Sequence, residues 1–128
     1  MTQTPAGTLL ILDDDPALVS VMKEILEEEG YRVETSTDGV DALRLVDDTH
    51  PATILMDMRM PGMDGWAFAD SLRERGATAS VIVITGGDHA LEWAQEVEAD
   101  DYLAKPFDMA ELIATVKRYC APASAKAH

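Results

Sequence analysis

Cysteine is almost missing from this chain. Cys120 stands alone, so no internal disulfide is available and nothing points to an oxidising compartment. Cations are scarce too: ten Lys and Arg face 24 Asp and Glu, a formal net charge of −14. Binding to nucleic acid depends on cations that displace counterions from phosphates, and no basic patch stands ready to do this, so a nucleic-acid partner is not expected. No apolar run approaches the roughly 20 residues of a membrane span, which argues against a membrane partner. Residues 1–7 lack a basic stretch followed by a long apolar one, so they do not read as a secretory signal. The expected setting is the cytoplasm.

What the chain does have is ordinary globular material. Hydrophobic residues make up 47 % and charged residues 27 %, enough for one self-sufficient core in 128 residues. Short apolar runs alternate with amphipathic stretches. Thr8 to Leu12 reads as a buried strand, followed by Leu18, Val21, Met22, Ile25 and Leu26 at helical spacing until Gly30. Tyr31 to Thr35 is a weaker strand, and Val40, Leu43 and Val46 mark a short helix that must end before Pro51. A third strand over Thr53 to Met56 leads into a Pro-Gly loop and a helix near Asp64 to Arg75. Ser80 to Ile84 is a β-branched run, His89 to Val97 a fourth helix, and Asp101 to Ala104 a short last strand. Met109, Leu112, Ile113, Val116 and Cys120 stripe a final helix that opens on Asp108 and Glu111 at capping-box spacing. Five β–α units with unalternating strands predict an α/β fold, a doubly wound parallel sheet covered by helices on both faces. The unit should span residues 8–120, with 1–7 and 121–128 as flexible tails and no output domain following.

In such a sheet, ligands bind beyond the carboxyl ends of the strands. Asp13, Asp14 and Asp15 follow the first strand, Asp57 the third, Thr85 with Gly86 and Gly87 the fourth, and Lys105 the fifth. Most other acids, such as Glu27, Glu28 and Glu29, read as solvated helix surface. Asp15 precedes Pro16 and is accounted for as a helix N-cap. Asp13, Asp14 and Asp57 have no such explanation. Carboxylates this close repel, so they must raise one another's pKa or share a cation. A hard divalent ion, Mg²⁺ above all, suits an all-oxygen set, and a neutralised cluster is the alternative. Lys105 alone would be a surface lysine and Thr85 alone an ordinary strand-end threonine. Beside an acidic nest, however, an ammonium and a hydroxyl suit phosphoryl oxygens. Asp57 is then the candidate nucleophile, forming an aspartyl phosphate.

The segments LLILDDDPALV, ILMDMRMPGMDG, VIVITGG and DDYLAKPF occur in order over Thr8 to Cys120. In these the chain resembles the response-regulator receiver domains of two-component signalling. The resemblance implies strand order 2-1-3-4-5 in a flavodoxin-like sheet. It implies Asp57 as phosphoacceptor, Asp14 as a direct Mg²⁺ ligand, Asp13 as one partly through water, and the backbone carbonyl of Arg59 as a further ligand. Thr85 and Lys105 would contact the phosphoryl group, and Lys105–Pro106 would be cis. Tyr102 matches the aromatic that turns inward as Thr85 moves, with partial burial in the strand as its plainer explanation. The implied donor is a histidine kinase or a histidine phosphotransfer protein. The effector is unknown, and a homodimer through the face of the fourth helix, fifth strand and fifth helix is compatible with the family. Such a domain is a signalling switch, not an enzyme, assisting only its own phosphorylation and slow hydrolysis.

Two features depart from the family pattern. The interval from Thr85 to Lys105 is slightly short, and Glu98 stands where a glycine usually ends the fourth helix, so that helix should be short or irregular. Arg59 could reach over the phosphate or pair with a surface acid, and Gly87 leaves the site open to water. Met56, Met58, Met60 and Met63 read as packing. Trp66 and Trp93 read as partly buried helix residues. His50, His89 and His128 are too scattered for a metal site. A Mg²⁺-dependent phosphohydrolase using an aspartyl phosphate is the alternative function, although the sequence between the first strand and Pro16 has no room for a substrate cap. A flavin site is disfavoured by three aspartates where a phosphate-binding loop should be. An unphosphorylated scaffold would keep an unused electrostatic cost.

Overall fold

The computed structural model describes residues 7–122. Of the tails expected at 1–7 and 121–128, residues 1–6 and 123–128 lie outside the described residues. Gly7, assigned above to a tail, is buried, and its carbonyl accepts the Arg32 amide at 2.7 Å.

Ten elements alternate as expected: β1 (Thr8–Leu12), α1 (Pro16–Glu28), β2 (Arg32–Ser36), α2 (Gly39–Thr49), β3 (Thr53–Asp57), α3 (Gly65–Glu74), β4 (Ser80–Gly86), α4 (Ala90–Glu96), β5 (Asp101–Lys105) and α5 (Met109–Tyr119). The five strands form one parallel sheet in the order β2-β1-β3-β4-β5. β1 and β3 are buried along their whole length, which is why their sequences run apolar without alternation. One face packs Leu10, Leu12, Met56 and Val83 against Phe68, Leu72 and Val46. The other packs Leu9, Ile11, Leu55 and Ile84 against Met22, Leu26, Leu112 and Val116. Met56, Met58 and Cys120 sit in these cores as read.

Aspartate starts most of the helices. Asp15, Asp38, Asp64 and Asp108 cap α1, α2, α3 and α5, each accepting at least one backbone N–H of the first turn. Asp108 and Glu111 complete the predicted capping box. Part of the acidity is therefore helix-start chemistry. α4 differs: it runs for only seven residues, no side chain caps it at His89, and it buries just Ala90 and Ala94. Beyond it, Glu98 adopts φ 57°, a left-handed turn for which a β-carbon is poorly suited.

The main differences from the sequence reading lie at strand ends. β2 starts at Arg32 rather than Tyr31, because the Tyr31 amide donates to the Leu26 carbonyl at 3.1 Å in the turn that closes α1, while its buried hydroxyl donates to the Cys120 carbonyl at 2.6 Å. β3, β4 and β5 each run further than expected, so that Asp57, Thr85 and Lys105 belong to the strands themselves. Strand backbone holds a side chain more firmly than a loop does.

Candidate functional site

Parallel register assembles the site. Leu12 pairs with Met56, so the next residues, Asp13 and Asp57, lie side by side at the carboxyl edge. Asp57 in turn pairs with Ile84, Thr85 with Ala104, and Gly86 with Lys105. Each strand thus delivers its polar residue one step along the same edge. Asp13, Asp14 and Asp57 offer carboxylate oxygens all within 4.8 Å of one another. Asp13 is 0 % exposed, Asp57 5 % and Thr85 1 %, whereas Asp14 is open to solvent.

Local bonds fix these groups. Asp13 Oδ1 accepts the Asp15 amide at 2.9 Å, so the cap residue of α1 also orients the buried carboxylate. Asp57 Oδ1 accepts the Arg59 amide at 3.3 Å, leaving Oδ2 toward Lys105. The Lys105 ammonium lies 2.8 Å from Asp13 Oδ2 and 3.5 Å from Asp57 Oδ2. The Asp13 contact is one of charge rather than an aligned hydrogen bond, and Asp13 Oδ2 is a buried acceptor without a hydrogen-bond donor. The Lys105–Pro106 peptide is cis, as the resemblance implies.

Electrostatics show how uneven the balance is. Burial raises the Asp57 pKa above the usual carboxylate range and Asp13 raises it further; Lys105 and the Arg59 amide only partly oppose them. Burial works against the Lys105 ammonium, but its close contacts with the Asp13 and Asp57 carboxylates together outweigh it and hold its pKa above the ordinary lysine value. One ammonium thus serves two buried carboxylates. The under-satisfied Asp13 oxygen and the three convergent carboxylates fit a hard divalent cation such as Mg²⁺.

Two residues shape the site in ways the sequence reading missed. The N-terminus of α3 runs so close to β3 that a Cβ on Gly65 would lie 2.7 Å from Met58 Cα and 3.0 Å from the Asp57 carbonyl. Only glycine lets the Gly65 amide reach the Met58 carbonyl at 3.0 Å. The second is Trp93. It lines an open cleft of about 380 Å³ together with Asp57, Arg59, Thr85, Gly86, Gly87, His89 and Lys105. Both tryptophans are half-buried as read, yet Trp93 faces the site. Arg59 neither covers Asp57 nor pairs with a surface acid: its guanidinium carbon lies over the Trp93 ring, 5.0 Å from the centroid. Gly86 and Gly87 leave open space around their α-carbons, so the cleft is open on that side. Tyr102 is 38 % exposed and therefore stands outward.

A five-stranded 2-1-3-4-5 sheet with carboxylates, a hydroxyl and an ammonium at its carboxyl edge is the architecture of a phosphorylation switch. Residues 9–117 match the response regulator receiver domain family, and the chain belongs to it. Among curated relatives, the response regulator MprA of Mycobacterium sp. (strain KMS) is 36 % identical over 111 residues, which cover 85 % of this chain and 48 % of the relative. MprA of Mycobacterium leprae (strain TN) is also 36 % identical, over 85 % of this chain and 49 % of the relative. The chain thus spans about half the length of the curated relatives it matches. Among solved structures, the response-regulator signal receiver domain from Bermanella marisrubri superposes with a TM-score of 0.82 at 32 % identity, covering 89 % of this chain and 98 % of the other. The Vibrio cholerae chemotaxis protein CheY4 superposes with 0.81 at 26 % identity, over 89 % and 98 %.

The chain is therefore a receiver domain, a signalling switch of the kind that receives phosphoryl groups from histidine kinases, and its acidic cluster fits a phosphoacceptor site. The phosphohydrolase alternative finds no support: only Asp13, Asp14 and Asp15 separate β1 from α1, leaving no cap. Among the described residues, no helix is long and apolar enough to cross a membrane.

Proposed function

We propose that Asp57 is the phosphoacceptor of this receiver, with the working unit spanning residues 8–120. The observation that carries this reading is the state of Asp57: a carboxylate at a strand end, 5 % exposed, with one oxygen held by the Arg59 amide and the other 3.5 Å from the Lys105 ammonium. A nucleophile held this way needs little reorganisation before attack. The donor is the phosphohistidine of a histidine kinase or a histidine phosphotransfer protein. An Asp57 carboxylate oxygen attacks phosphorus, the Oδ–P bond forms and the N–P bond breaks. The imidazole leaves with the bonding electron pair and takes up a proton.

Asp13, Asp14, Asp57 and the Arg59 carbonyl would hold Mg²⁺, which offsets negative charge on the transferring group. Lys105 then holds one phosphoryl oxygen and the Thr85 hydroxyl donates to another. Because Thr85 is buried, its shift toward the phosphoryl group opens space on the β4–β5 side, and outward-standing Tyr102, paired in register with Val83, is placed to fill it. That exchange alters the surface of α4, β5 and α5, the face available to an effector or a second copy. Slow hydrolysis of the acyl phosphate resets the switch, with water entering past Gly86 and Gly87.

Incubating the protein with a small phosphodonor and Mg²⁺, followed by intact-mass analysis, tests this. Wild type should gain one acid-labile phosphoryl group, and Asp57→Asn or excess chelator should abolish the gain. Equal labelling of Asp57→Asn would remove the assignment.

A further inference from the structure

Arg59 is unusually placed for a cation on so acidic a protein. It follows Asp57 by two residues, its amide holds the Asp57 carboxylate at 3.3 Å, and its side chain lines the same cleft. Yet it enters none of the ion pairs found among the described residues. Instead its guanidinium lies over Trp93, 5.0 Å from the ring centroid. Trp93 is in turn fixed by two neighbours. His89 stacks on it at 5.1 Å with an interplanar angle of 17°, and Trp66 of α3 meets it edge-on at 5.1 Å and 68°. Trp66 donates its indole N–H to Glu96 Oε1 at 2.8 Å, a second tie between α3 and α4.

These contacts matter because they join α4, which otherwise packs on β4 and β5, to the rim of the cleft. The helix is seven residues long, lacks a side-chain cap and buries only two alanines. Its link to the β3–α3 loop, which carries Arg59, passes through the Arg59–Trp93 contact.

We propose that Trp93 is a positioning residue that parks the Arg59 guanidinium at the rim of the cleft, and that phosphorylation of Asp57 draws this guanidinium off the ring onto the phosphoryl oxygens, untying α4 from the loop. The inference rests on the reading of Asp57 as phosphoacceptor. Its energetic basis is a comparison of partners. An exposed cation–π contact is a weak interaction. Charge-assisted hydrogen bonds from a guanidinium to a phosphoryl group are roughly twice as strong as neutral ones and fit the guanidinium fork. The Lys105 ammonium is shared between Asp13 and Asp57 and serves one phosphoryl oxygen at most, so among the described residues Arg59 is the cleft cation with no ion-pair partner when new negative charge arrives. Trp93 therefore competes with the phosphoryl group for Arg59, and removing the competitor should tighten binding of a phosphoryl mimic.

The test uses beryllofluoride with Mg²⁺ as the mimic, with two NMR observables. The ¹⁹F signal of bound beryllofluoride reports occupancy of Asp57, and ¹H–¹⁵N cross-peaks report the Trp93 indole and the Arg59 Nε–H. In wild type both cross-peaks should move on saturation, and in Arg59→Ala the indole shift should fall by half or more. Trp93→Leu should bind the mimic about two- to five-fold more tightly, the factor expected when an exposed cation–π contact no longer competes. Trp93→Phe, which keeps a ring face, should stay near wild type. A filled site with an indole shift unaffected by Arg59→Ala would overturn the proposal while leaving Asp57 as acceptor. So would a Trp93→Leu affinity equal to or weaker than that of Trp93→Phe. No bound ¹⁹F signal in wild type would instead overturn the acceptor assignment and the inference built on it.

Discussion

Asp57→Asn should make the metal-free protein more stable, not less. The variant keeps the size of the side chain, and its oxygen still accepts the Arg59 amide. It removes one charge from a site where carboxylate oxygens lie within 4.8 Å of one another. At an effective dielectric of about 20, a like charge at that distance costs about 3–4 kcal/mol, and the ammonium 3.5 Å away returns about 5 kcal/mol. With Asp14 adding a smaller, solvent-screened repulsion, the charge contributions nearly cancel. Burial then decides the sign, and leaving a carboxylate at 5 % exposure with only one backbone donor costs on the order of 1–3 kcal/mol. Lys105 keeps its closer partner, Asp13, in the variant. A net gain of about 1–2 kcal/mol is expected, or roughly 4–8 °C in Tm for a domain of this size. The pH dependence follows from the raised pKa of Asp57. A raised carboxyl pKa means that the folded state binds the proton more tightly, so the penalty is complete above the folded value. It fades as pH falls toward the ordinary carboxylate range. Urea unfolding followed by circular dichroism, in chelator, should therefore show the variant ahead at neutral pH and the gap closing on acidification. Added Mg²⁺ should also narrow the gap, because it binds the wild-type cluster. A variant no more stable than wild type at neutral pH, or a gap that widens in acid, would refute the electrostatic account.

Tyr31 makes an alkaline counterpart: burial pushes its phenol up to about 12, with Cys120 and Glu29 adding to the shift. Its contribution, about 2–3 kcal/mol, is complete below the ordinary phenol value and is lost as pH rises through the folded one, so Tyr31→Phe should flatten the loss of unfolding free energy between about pH 9 and 12. Glu98→Gly should raise stability by about 1 kcal/mol in chemical denaturation, because Glu98 holds a left-handed φ of 57° that glycine adopts without strain. Gly65→Ala should cost about 1–3 kcal/mol, since its Cβ would press on the Met58 backbone, and it should also slow labelling of Asp57 by a small phosphodonor.

The fold was legible because each element carries a local signal. Unalternating runs such as Thr8–Leu12 mark strands buried on both faces, and aspartates at N-caps mark where helices begin. The candidate site was legible for a related reason. In a parallel α/β sheet every strand points its carboxyl end to the same edge, so residues far apart in sequence meet if each directly follows, or ends, a strand. Asp13, Asp57, Thr85 and Lys105 satisfy that rule, and register does the rest. Even the shortness of α4 was signalled, by Glu98 where the left-handed turn after it would suit a glycine.

Contacts made across loops and helix surfaces carry no such mark. Whether Arg59 turns to the phosphate side, to a surface acid or to Trp93 depends on the distance between the β3–α3 loop and a helix whose length the sequence only hinted at. Gly65 hides for a different reason: its role is the absence of a Cβ beside Met58, and a helix-start glycine looks the same whether or not a backbone passes close by. The two cases share a physical cause. The charges of the candidate site are aligned by strand register, which is periodic and therefore readable, whereas the parts that would relay a change outward are aligned by loop path and helix length. Strand register can therefore hold the charges of such a site in place without fixing where the short α4 and the ring of Trp93 sit beside it.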